Sequence, residues 1–393
     1  MNSHVLDTEV QEFINSHIDD DIAQLILKGS PFEYIHINDL IEQIEAKKKC
    51  KLKLPFWYNT NGIYFPNKLN IEQTSSEMAA LFKSKLINGE SIIDLTGGFG
   101  VDSFYFSNSF KSVTHCEIDL KLSNIVSHNL QKLPKKNITV LNVDGIKYLK
   151  EKPIKFDWIY VDPSRRHNTK GKVFLLKDCL PNIPKEIDTL WDNTDNIIIK
   201  TSPLLDISIG IDELDDVKTI HIVGINNEVK ELLWILEKGY TDDIRIESVN
   251  LRADNLTKFS FNLKDESIGD IEYKLPQTYL YEPNAPTLKA GAFNSISHQL
   301  GIAKIHKHSH LYTNDDLIDF PGRRFIIDNM IPYHKKTFKK AGISKANITT
   351  RNFPETVQQI RNKFSIKDGG DIYLFFTTNY LNEKVVLVCS KVE

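Results

Sequence analysis

Four acidic residues in the middle of the chain each follow an apolar run. Asp94 ends "SIID", Glu117 ends "SVTHCE", Asp144 follows "ITVLNV" and Asp162 follows "FDWIYV". A role in capping a helix or a turn would explain the presence of any one of these acids, but it explains all four together much less well. The carboxyl ends of parallel strands meet at one edge of a sheet, where open α/β sheets bind ligands. We therefore expect the four carboxylates to line one crevice.

A glycine-rich turn follows the first acid, in the segment "DLTGGFG". A strand, a glycine turn and a helix together present backbone N–H groups to a ligand, although a tight connection without a ligand is the alternative. The nicotinamide fingerprint G-x-G-x-x-G fits imperfectly, because Ser103 stands in the third glycine position. Glu117 comes 23 residues after Asp94, near the position where an acid binds both ribose hydroxyls.

The elements that must position these residues follow from the apolar patterns. Residues 1–86 place apolar residues at helical spacing, and residues 87–263 alternate apolar runs with amphipathic segments, which predicts a doubly wound α/β sheet. In this part we expect "KELLWILEKG" to be a helix, and "IRIESVNL" with "KFSFNL" to be a seventh strand or a hairpin. Residues 264–330 and 331–393 are predicted to be two further α+β domains.

The composition is that of a globular protein, with 41% apolar and 26% charged residues among 393. No run approaches the roughly 20 apolar residues of a membrane span, and the first residues have no apolar core of signal-peptide length. The four dispersed cysteines indicate reduced thiols in a cytoplasmic protein. Strand alternation would place the histidines of "HKHSH" on one face, but no carboxylate or cysteine completes a site, so we expect no metal.

The formal charge of −3 is unevenly distributed, with +6 from residue 301 onward and −9 before it. A basic C-terminal part favours a polyanionic partner, although a solvated lysine-rich surface is an equally good explanation. The residues that we expect to contact a nucleic acid are Arg323, Arg324, Lys335, Lys336, Lys339 and Lys340.

The segments "DLTGGFG", "CEID", "NVDG" and "DPSRR" occur in the order found in class I S-adenosylmethionine-dependent methyltransferases, which this sequence resembles. The resemblance implies that glycines of the turn lie under the methionine moiety, that Glu117 holds the ribose, and that Asp144 lies at the adenine. The cofactor-binding residues expected on this basis are Asp94, Thr96, Gly97, Gly98, Gly100, Glu117, Asp144 and Gly145.

The segment "DPSRR" resembles the D-P-P-Y/F/R signature of methyltransferases that act on exocyclic amino groups or on bases in nucleic acids. It implies a catalytic set of Asp162, Pro163, Ser164 and Arg165. The sequence departs from the signature at Ser164, which replaces a proline, and at Arg165, which replaces an aromatic residue. Arg165 and Arg166 can stack on a base or bind a phosphate, or they can form a surface ion pair.

The whole chain is similar to a bacterial methyltransferase family with a ferredoxin-like domain and a THUMP-like C-terminal domain. "EQTSSEMAALFK", "YLYEPNAP", "FPGRRF" and "RNFPETVQQIRNKF" carry this similarity. It implies a ferredoxin-like domain at 264–330, a THUMP-like domain at 331–393, and methylation of a base, including an exocyclic amine, in tRNA or rRNA.

Three other functions are compatible with the sequence. They are a methyltransferase of a small molecule or a protein, a nicotinamide-dependent oxidoreductase, and a non-catalytic RNA-binding protein with a degenerate cofactor fold. The missing third glycine and "DPSRR" argue against the oxidoreductase.

Overall fold

The computed structural model describes residues 2–165, 175–267 and 269–392. The chain forms two compact units. The first comprises Met1–Val217 and Leu233–Thr241, and the second comprises Lys218–Leu232 and Asp242–Glu393.

The first unit begins with a helical region, as the spacing of apolar residues predicts. Leu40 and Ile44 of its longest helix are fully buried, and Trp57 packs edge to face against Phe104 at 4.8 Å between ring centroids. The Ser76 hydroxyl accepts the Ala79 N–H and caps the last of these helices. The helices are α1 (Thr8–Ser16), α2 (Ile22–Lys28), α3 (Ile37–Lys53), α4 (Pro55–Asn59), α5 (Lys68–Gln73) and α6 (Glu77–Ser84).

A parallel sheet with helical crossovers follows. Its strands are β1 (Gly89–Asp94), β2 (Phe110–Cys116), β3 (Ile138–Leu141), β4 (Trp158–Val161) and β7 (Asn196–Thr201), and a short ladder joins β5 (Ser164–Arg165) to β6 (Cys179–Leu180). The helices are α7 (Val101–Phe106), α8 (Leu120–Lys132), α9 (Gly145–Glu151), α10 (Ile183–Trp191) and α11 (Ile207–Glu213). The parallel strands lie in the order β7-β4-β1-β2-β3.

This order reverses the direction of winding between β1 and β4. The chain moves from β1 to β2 and β3 on one side, and then returns to β4 and β7 on the other. The carboxyl ends of β1 and β4 therefore flank a topological switch point, where open α/β sheets form their ligand-binding crevice.

The structure corrects one predicted helix. The segment "KELLWILEKG" lies in strand β9 (Glu228–Glu237), which follows β8 (Val217–Ile225). Asn226 and Asn227, with φ of 51° and 66°, make the tight turn before it. Leu232, Leu233 and Trp234 are all fully buried, so both faces of the strand are covered. A strand buried on both faces is apolar at successive positions, and periodicity alone does not distinguish it from a buried helix.

In the second unit, β10 (Arg245–Leu251) and β11 (Leu256–Asn262) form a hairpin, which is one of the two predicted alternatives, and β10 also pairs in parallel with β8. A seven-stranded sheet has the order β13-β14-β12-β15-β18-β17-β16. Its strands are β12 (Tyr279–Pro283), β13 (Ala303–Lys304), β14 (Tyr312–Asn314), β15 (Gly322–Pro332), β16 (Asn347–Arg351), β17 (Ile372–Thr378) and β18 (Lys384–Lys391). The accompanying helices are α12 (Ala285–Lys289), α13 (Ser295–Leu300), α14 (Lys335–Lys340) and α15 (Val357–Phe364).

The segment "HKHSH" does not form the expected strand. It makes a turn between β13 and β14, in which the Ser309 hydroxyl donates to the His306 carbonyl and His310 has a φ of 51°. The three histidines therefore do not alternate along one strand face.

None of the helices in the described residues is long and apolar enough to cross a membrane.

The turn at Asn226 and Asn227 gives a prediction about stability. Asn226 is exposed and has a positive φ, which costs a β-branched residue about 1–2 kcal/mol. We expect Asn226→Val to lower the free energy of unfolding by about this amount, and Asn226→Gly to change it by less than about 0.5 kcal/mol. Urea unfolding of the two variants tests this, and equal midpoints for Val and Gly would contradict it.

Candidate cofactor and acceptor site

The glycine turn connects the carboxyl end of β1 to α7 and lies against the end of β2. The Gly97 N–H donates to the Cys116 carbonyl at 2.8 Å, and the Gly100 N–H donates to the Gly97 carbonyl at 2.9 Å. Gly98 and Gly100 have φ of 55° and 79°, which glycine adopts without steric cost.

The glycines have two different surroundings. A Cβ on Gly97 would lie 2.0 Å from the ring of buried His115, and one on Gly145 would lie 2.7 Å from the Leu95 carbonyl oxygen. These two glycines therefore allow close packing. A Cβ on Gly98 would meet no atom nearer than 3.9 Å. The turn is thus open at Gly98, where a ligand can approach the backbone.

Glu117 spans the mouth of this turn. Its Oε2 accepts the Gly98 N–H at 2.9 Å, and its Oε1 accepts the Asp119 N–H at 2.7 Å. Burial raises the pKa of Glu117, which the two backbone hydrogen bonds partly offset. The next residue, Ile118, is 70% exposed. The end of β2 therefore presents a half-buried carboxylate beside an exposed apolar side chain.

The Asp144 side chain caps a helix, which is the structural alternative to ligand binding that applied to each of the four acids. It is the N-cap of α9, where its Oδ1 accepts the Lys147 N–H at 3.1 Å, and the side chain is exposed. Gly145, next to it, is buried. Asn142 connects this strand end to that of β2, because its amide donates to the Glu117 carbonyl at 2.8 Å.

Asp162 is linked to the glycine turn and to a neighbouring strand. Its N–H donates to the Thr96 hydroxyl at 2.7 Å, and its Oδ2 forms an ion pair with Lys200 of β7. Pro163 is buried, and Ser164 and Arg165 form β5. The second arginine of "DPSRR", Arg166, lies outside the described residues.

Asp94 is the most deeply buried of the predicted acids. Its Oδ1 accepts the Thr96 N–H at 3.1 Å, and its Oδ2 accepts the Ser103 hydroxyl at 2.6 Å. The pKa of Asp94 is raised to about 7, mainly by burial and in addition by Asp102 and Asp162, while the hydrogen bonds from Ser103 and Thr96 oppose the rise.

His115 completes this cluster as a neutral side chain. Burial lowers its pKa to about 4. Its Nδ1 lies 3.0 Å from the Ser103 hydroxyl, which has already donated its hydrogen to Asp94. We infer that Nδ1 carries the proton and donates it to Ser103.

Sequence reasoning missed a buried charge network beneath the site. Lys83 is fully buried, and its Nζ lies 3.2 Å from Asp102 Oδ1. Asp102 Oδ2 accepts hydrogen bonds from the Ser75 hydroxyl at 2.8 Å and from the Tyr160 hydroxyl at 2.9 Å. Burial opposes ionisation, yet Lys83 and Lys200 hold the pKa of Asp102 below its usual range. The available signal was the spacing of Lys83, which shares the buried face of α6 with Ala79 and Ala80.

The structure thus joins Asp94, Thr96 and Asp162 by hydrogen bonds, and it joins Glu117 to Gly98 of the same glycine turn. The predicted nucleic-acid residues belong to the second unit. Arg323 forms an ion pair with Glu282, and Arg324 donates to the Ile318 carbonyl at 3.4 Å. The predicted lysines Lys335, Lys336, Lys339 and Lys340 all lie on α14. Among the described residues, no group of three or more His, Cys, Asp or Glu side chains could hold a metal ion.

Comparisons with known proteins bear on both units. Residues 279–321 match the model of a ferredoxin-like domain, and residues 322–391 match that of a THUMP domain-like region. The solved structure of a "putative methyltransferase" from Porphyromonas gingivalis W83 is 29% identical, covers 99% of this chain and 98% of that chain, and has a TM-score of 0.90. The predicted resemblance is confirmed. So is the predicted class of fold, a mixed α/β architecture with a large parallel sheet and C-terminal ferredoxin-like and THUMP-like domains.

A curated relative covers a smaller part of the chain. An "uncharacterized RNA methyltransferase" from Mycoplasma mobile is 36% identical over 138 residues, which are 33% of this chain and 37% of that protein. The chain therefore spans little more than a third of the curated relative that it matches.

The raised pKa of Asp94 predicts a pH-dependent stability. An unfolded aspartate titrates near pH 3.9, so between about pH 4 and about pH 7 the folded protein keeps a proton that the unfolded chain releases. The contribution of the protonated Asp94 to the free energy of unfolding is complete below the pKa of the unfolded chain. It is lost as the pH rises to the folded pKa, by at most about 1.4 kcal/mol per pH unit.

Asp94→Asn cannot ionise and should lack this loss. We expect the free energy of unfolding of the variant, minus that of the wild type, to increase from about pH 4 to about pH 7 and to be constant above that range. Denaturant titrations at several pH values measure the difference. A difference that does not vary with pH would show that Asp94 is ionised throughout.

Proposed function

We propose that the protein is an S-adenosylmethionine-dependent methyltransferase that modifies a base in RNA. The observation that carries this proposal is the cluster of acids around the glycine turn at the switch point. There, acids from the ends of β1, β2 and β4 meet at one glycine turn. The structural similarity over nearly the whole chain to a protein described as a methyltransferase supports the same activity.

The residues of the crevice suit this cofactor. S-adenosylmethionine supplies a methyl group on a cationic sulfonium and carries no phosphate. An acidic crevice attracts such a cationic ligand, whereas it would repel an anionic ligand. In our assignment Glu117 binds the ribose hydroxyls, the exposed Ile118 contacts the adenine, and the open backbone at Gly98 lies under the methionine moiety. Asp144 and the buried Gly145 begin α9 beside the adenine.

Asp162 is our candidate for orienting the acceptor. Lys200 binds Oδ2, so we assign Oδ1 to a hydrogen bond from the amino group or ring nitrogen that is methylated. Pro163 fixes the backbone after it. Such a hydrogen bond positions the nitrogen for in-line displacement and increases its nucleophilicity as the new bond forms. We keep Ser164 and Arg165 as candidates for contact with the substrate.

RNA is the substrate class that the second unit favours. The name of the Mycoplasma mobile relative, the THUMP domain-like match and the charge of +6 from residue 301 agree on it. Lys335, Lys336 and Lys340 are exposed on α14 and available to phosphates. A cytoplasmic location stays a prediction, which the four free and buried cysteines support. The base and the atom would be identified by mass spectrometry of nucleosides from a deletion strain and its parent.

Cofactor binding gives the first test of this proposal. Glu117→Ala removes the carboxylate assigned to the ribose and also the hydrogen bond that holds Gly98, and it should weaken binding by roughly 1.5–3 kcal/mol. Calorimetric titration with S-adenosylhomocysteine measures the loss, with Asp188→Asn, an exposed aspartate on α10, as the control. Unchanged affinity in Glu117→Ala would remove this residue from the cofactor site.

Methyl transfer gives the second test. Asp162→Asn keeps the shape of the side chain but not its charge, and Asp162→Ala removes the acceptor oxygen altogether. We expect kcat to fall in the order wild type, Asn, Ala, while the affinity for S-adenosylhomocysteine stays nearly constant. Single-turnover transfer from labelled cofactor to RNA of a deletion strain reports the rates.

Two outcomes would favour the alternatives. Full activity in Asp162→Ala would exclude this residue from the chemistry. Cofactor binding without transfer to any RNA would instead favour a small-molecule or protein substrate, or a non-catalytic RNA-binding role.

A further inference from the structure

Two arginines in the second unit share one buried carboxylate. Glu282 lies near the end of β12, and its side chain is 5% exposed. Its Oε2 accepts Nε of Arg323 at 2.7 Å and also pairs with Nη2 of that residue, and its Oε1 accepts Nη2 of Arg351 at 3.0 Å. We call Arg323 and Arg351, held together by Glu282, the arginine pair.

Both guanidiniums are fixed while part of each faces solvent. The side chains of Arg323 and Arg351 are 41% and 31% exposed. Arg323 also lies over the Phe325 ring, with Cζ 5.4 Å from its centroid. No protein atom in the described part of the chain accepts a hydrogen bond from Nη1 of either arginine. The arginine pair therefore presents donors whose positions are set in advance.

The pair carries more positive charge than its carboxylate balances. One arginine suffices to compensate a buried glutamate, so the second leaves a net charge of +1. One further cation, Lys304, lies near enough to Arg351 for both to influence His310. The pKa of His310 is lowered to about 4, mainly by burial and in addition by Lys304, Arg351 and His308, which keeps that imidazole neutral. Lys304 is itself buried and bonds to the Asn294 side chain.

We propose that the arginine pair binds one phosphate group of an RNA. Guanidinium groups match phosphate oxygens with paired N–H donors, and two of them fixed side by side can hold one phosphate from two directions. This inference rests on the proposed function for its ligand, but it concerns binding and involves no residue of the methyl-transfer site. Arg323 takes up its predicted role here, and Arg351 is a residue that the sequence did not single out.

The test is the salt dependence of RNA binding by the full chain. Bulk tRNA is titrated at several salt concentrations with the wild type, Arg323→Gln, Arg351→Gln and the double variant. Each single change should weaken binding about tenfold. Plots of log K against log salt have a negative slope. Because one phosphate is contacted, the magnitude of this slope should decrease by about 0.7–0.9 in each single variant, and by no more than that in the double variant.

Matched variants separate this effect from general charge and from folding. Lys367→Gln removes one exposed positive charge at the opposite end of β16 from Arg351, and it should leave affinity and slope unchanged. Arg323→Lys and Arg351→Lys keep the positive charge but remove the paired N–H donors of the guanidinium group. The salt dependence of RNA binding should therefore stay that of the wild type while the affinity for RNA falls. If the Gln variants fail to fold, as judged by circular dichroism, the Lys variants carry the test. Affinity and slope equal to those of the wild type in every arginine variant would overturn the proposal.

Two further measurements complete the experiment. Phosphatase treatment of the tRNA removes its terminal phosphate: unchanged binding assigns an internal phosphodiester to the site, and loss of the arginine effect assigns the terminal group. RNA binding that depends on the pair, without any methyl transfer, would refute the proposed function and leave this site standing. Methyl transfer with a wild-type KM for RNA in the Gln variants, or no binding of RNA by the wild type, would refute the site.

Discussion

The ion pair between Lys83 and Asp102 is the interaction on which the candidate site depends. Lys83 is fully buried and the Asp102 side chain is only 11% exposed, and removing one partner of a buried pair typically costs about 3–5 kcal/mol because the other charge is left uncompensated. Asp102 also accepts hydrogen bonds from Ser75 before α6 and from Tyr160 on β4. One carboxylate therefore connects the helical region to the sheet directly under the switch point.

This arrangement explains the electrostatics above it. Asp94, Asp102 and Asp162 lie close enough to influence one another, and Lys83 and Lys200 supply two positive charges to three carboxyl groups. The pKa of Asp94 is raised mainly because its side chain is buried, and the neighbouring Asp102 and Asp162 add to the rise. The fully buried acid is therefore largely protonated below neutral pH, while the side chains of Glu117 and Asp162 are half-buried and lie nearer to solvent.

Much of this could be predicted from the sequence, because strand ends and glycine turns have local signals. The positions of Asp94, Glu117, Asp144 and Asp162 after apolar runs predicted that they would line one crevice. The structure places three of them around one turn, and the Asp144 side chain caps α9. Their roles toward a ligand stay predictions. What the sequence did not reveal depends on contacts between distant segments. Nothing near Glu282 in the chain indicates Arg351, 69 residues away, as its partner. The error at β9 had a similar origin, because a strand covered on both faces has no alternation to detect.

The shared carboxylate of Glu282 also bears on whether the ferredoxin-like and THUMP-like regions can be separated. The region matched by the ferredoxin-like model ends at residue 321, and Arg323 and Arg351 belong to the THUMP-like region that starts at 322. In the seven-stranded sheet, β12 of the first region pairs directly with β15 of the second. A fragment ending between them would expose the backbone edge of β12 and leave a buried glutamate without a cation. The two matched regions thus share one sheet and one buried ion pair, so gain or loss of either region alone during evolution would require replacement of both the strand edge and the counter-charge.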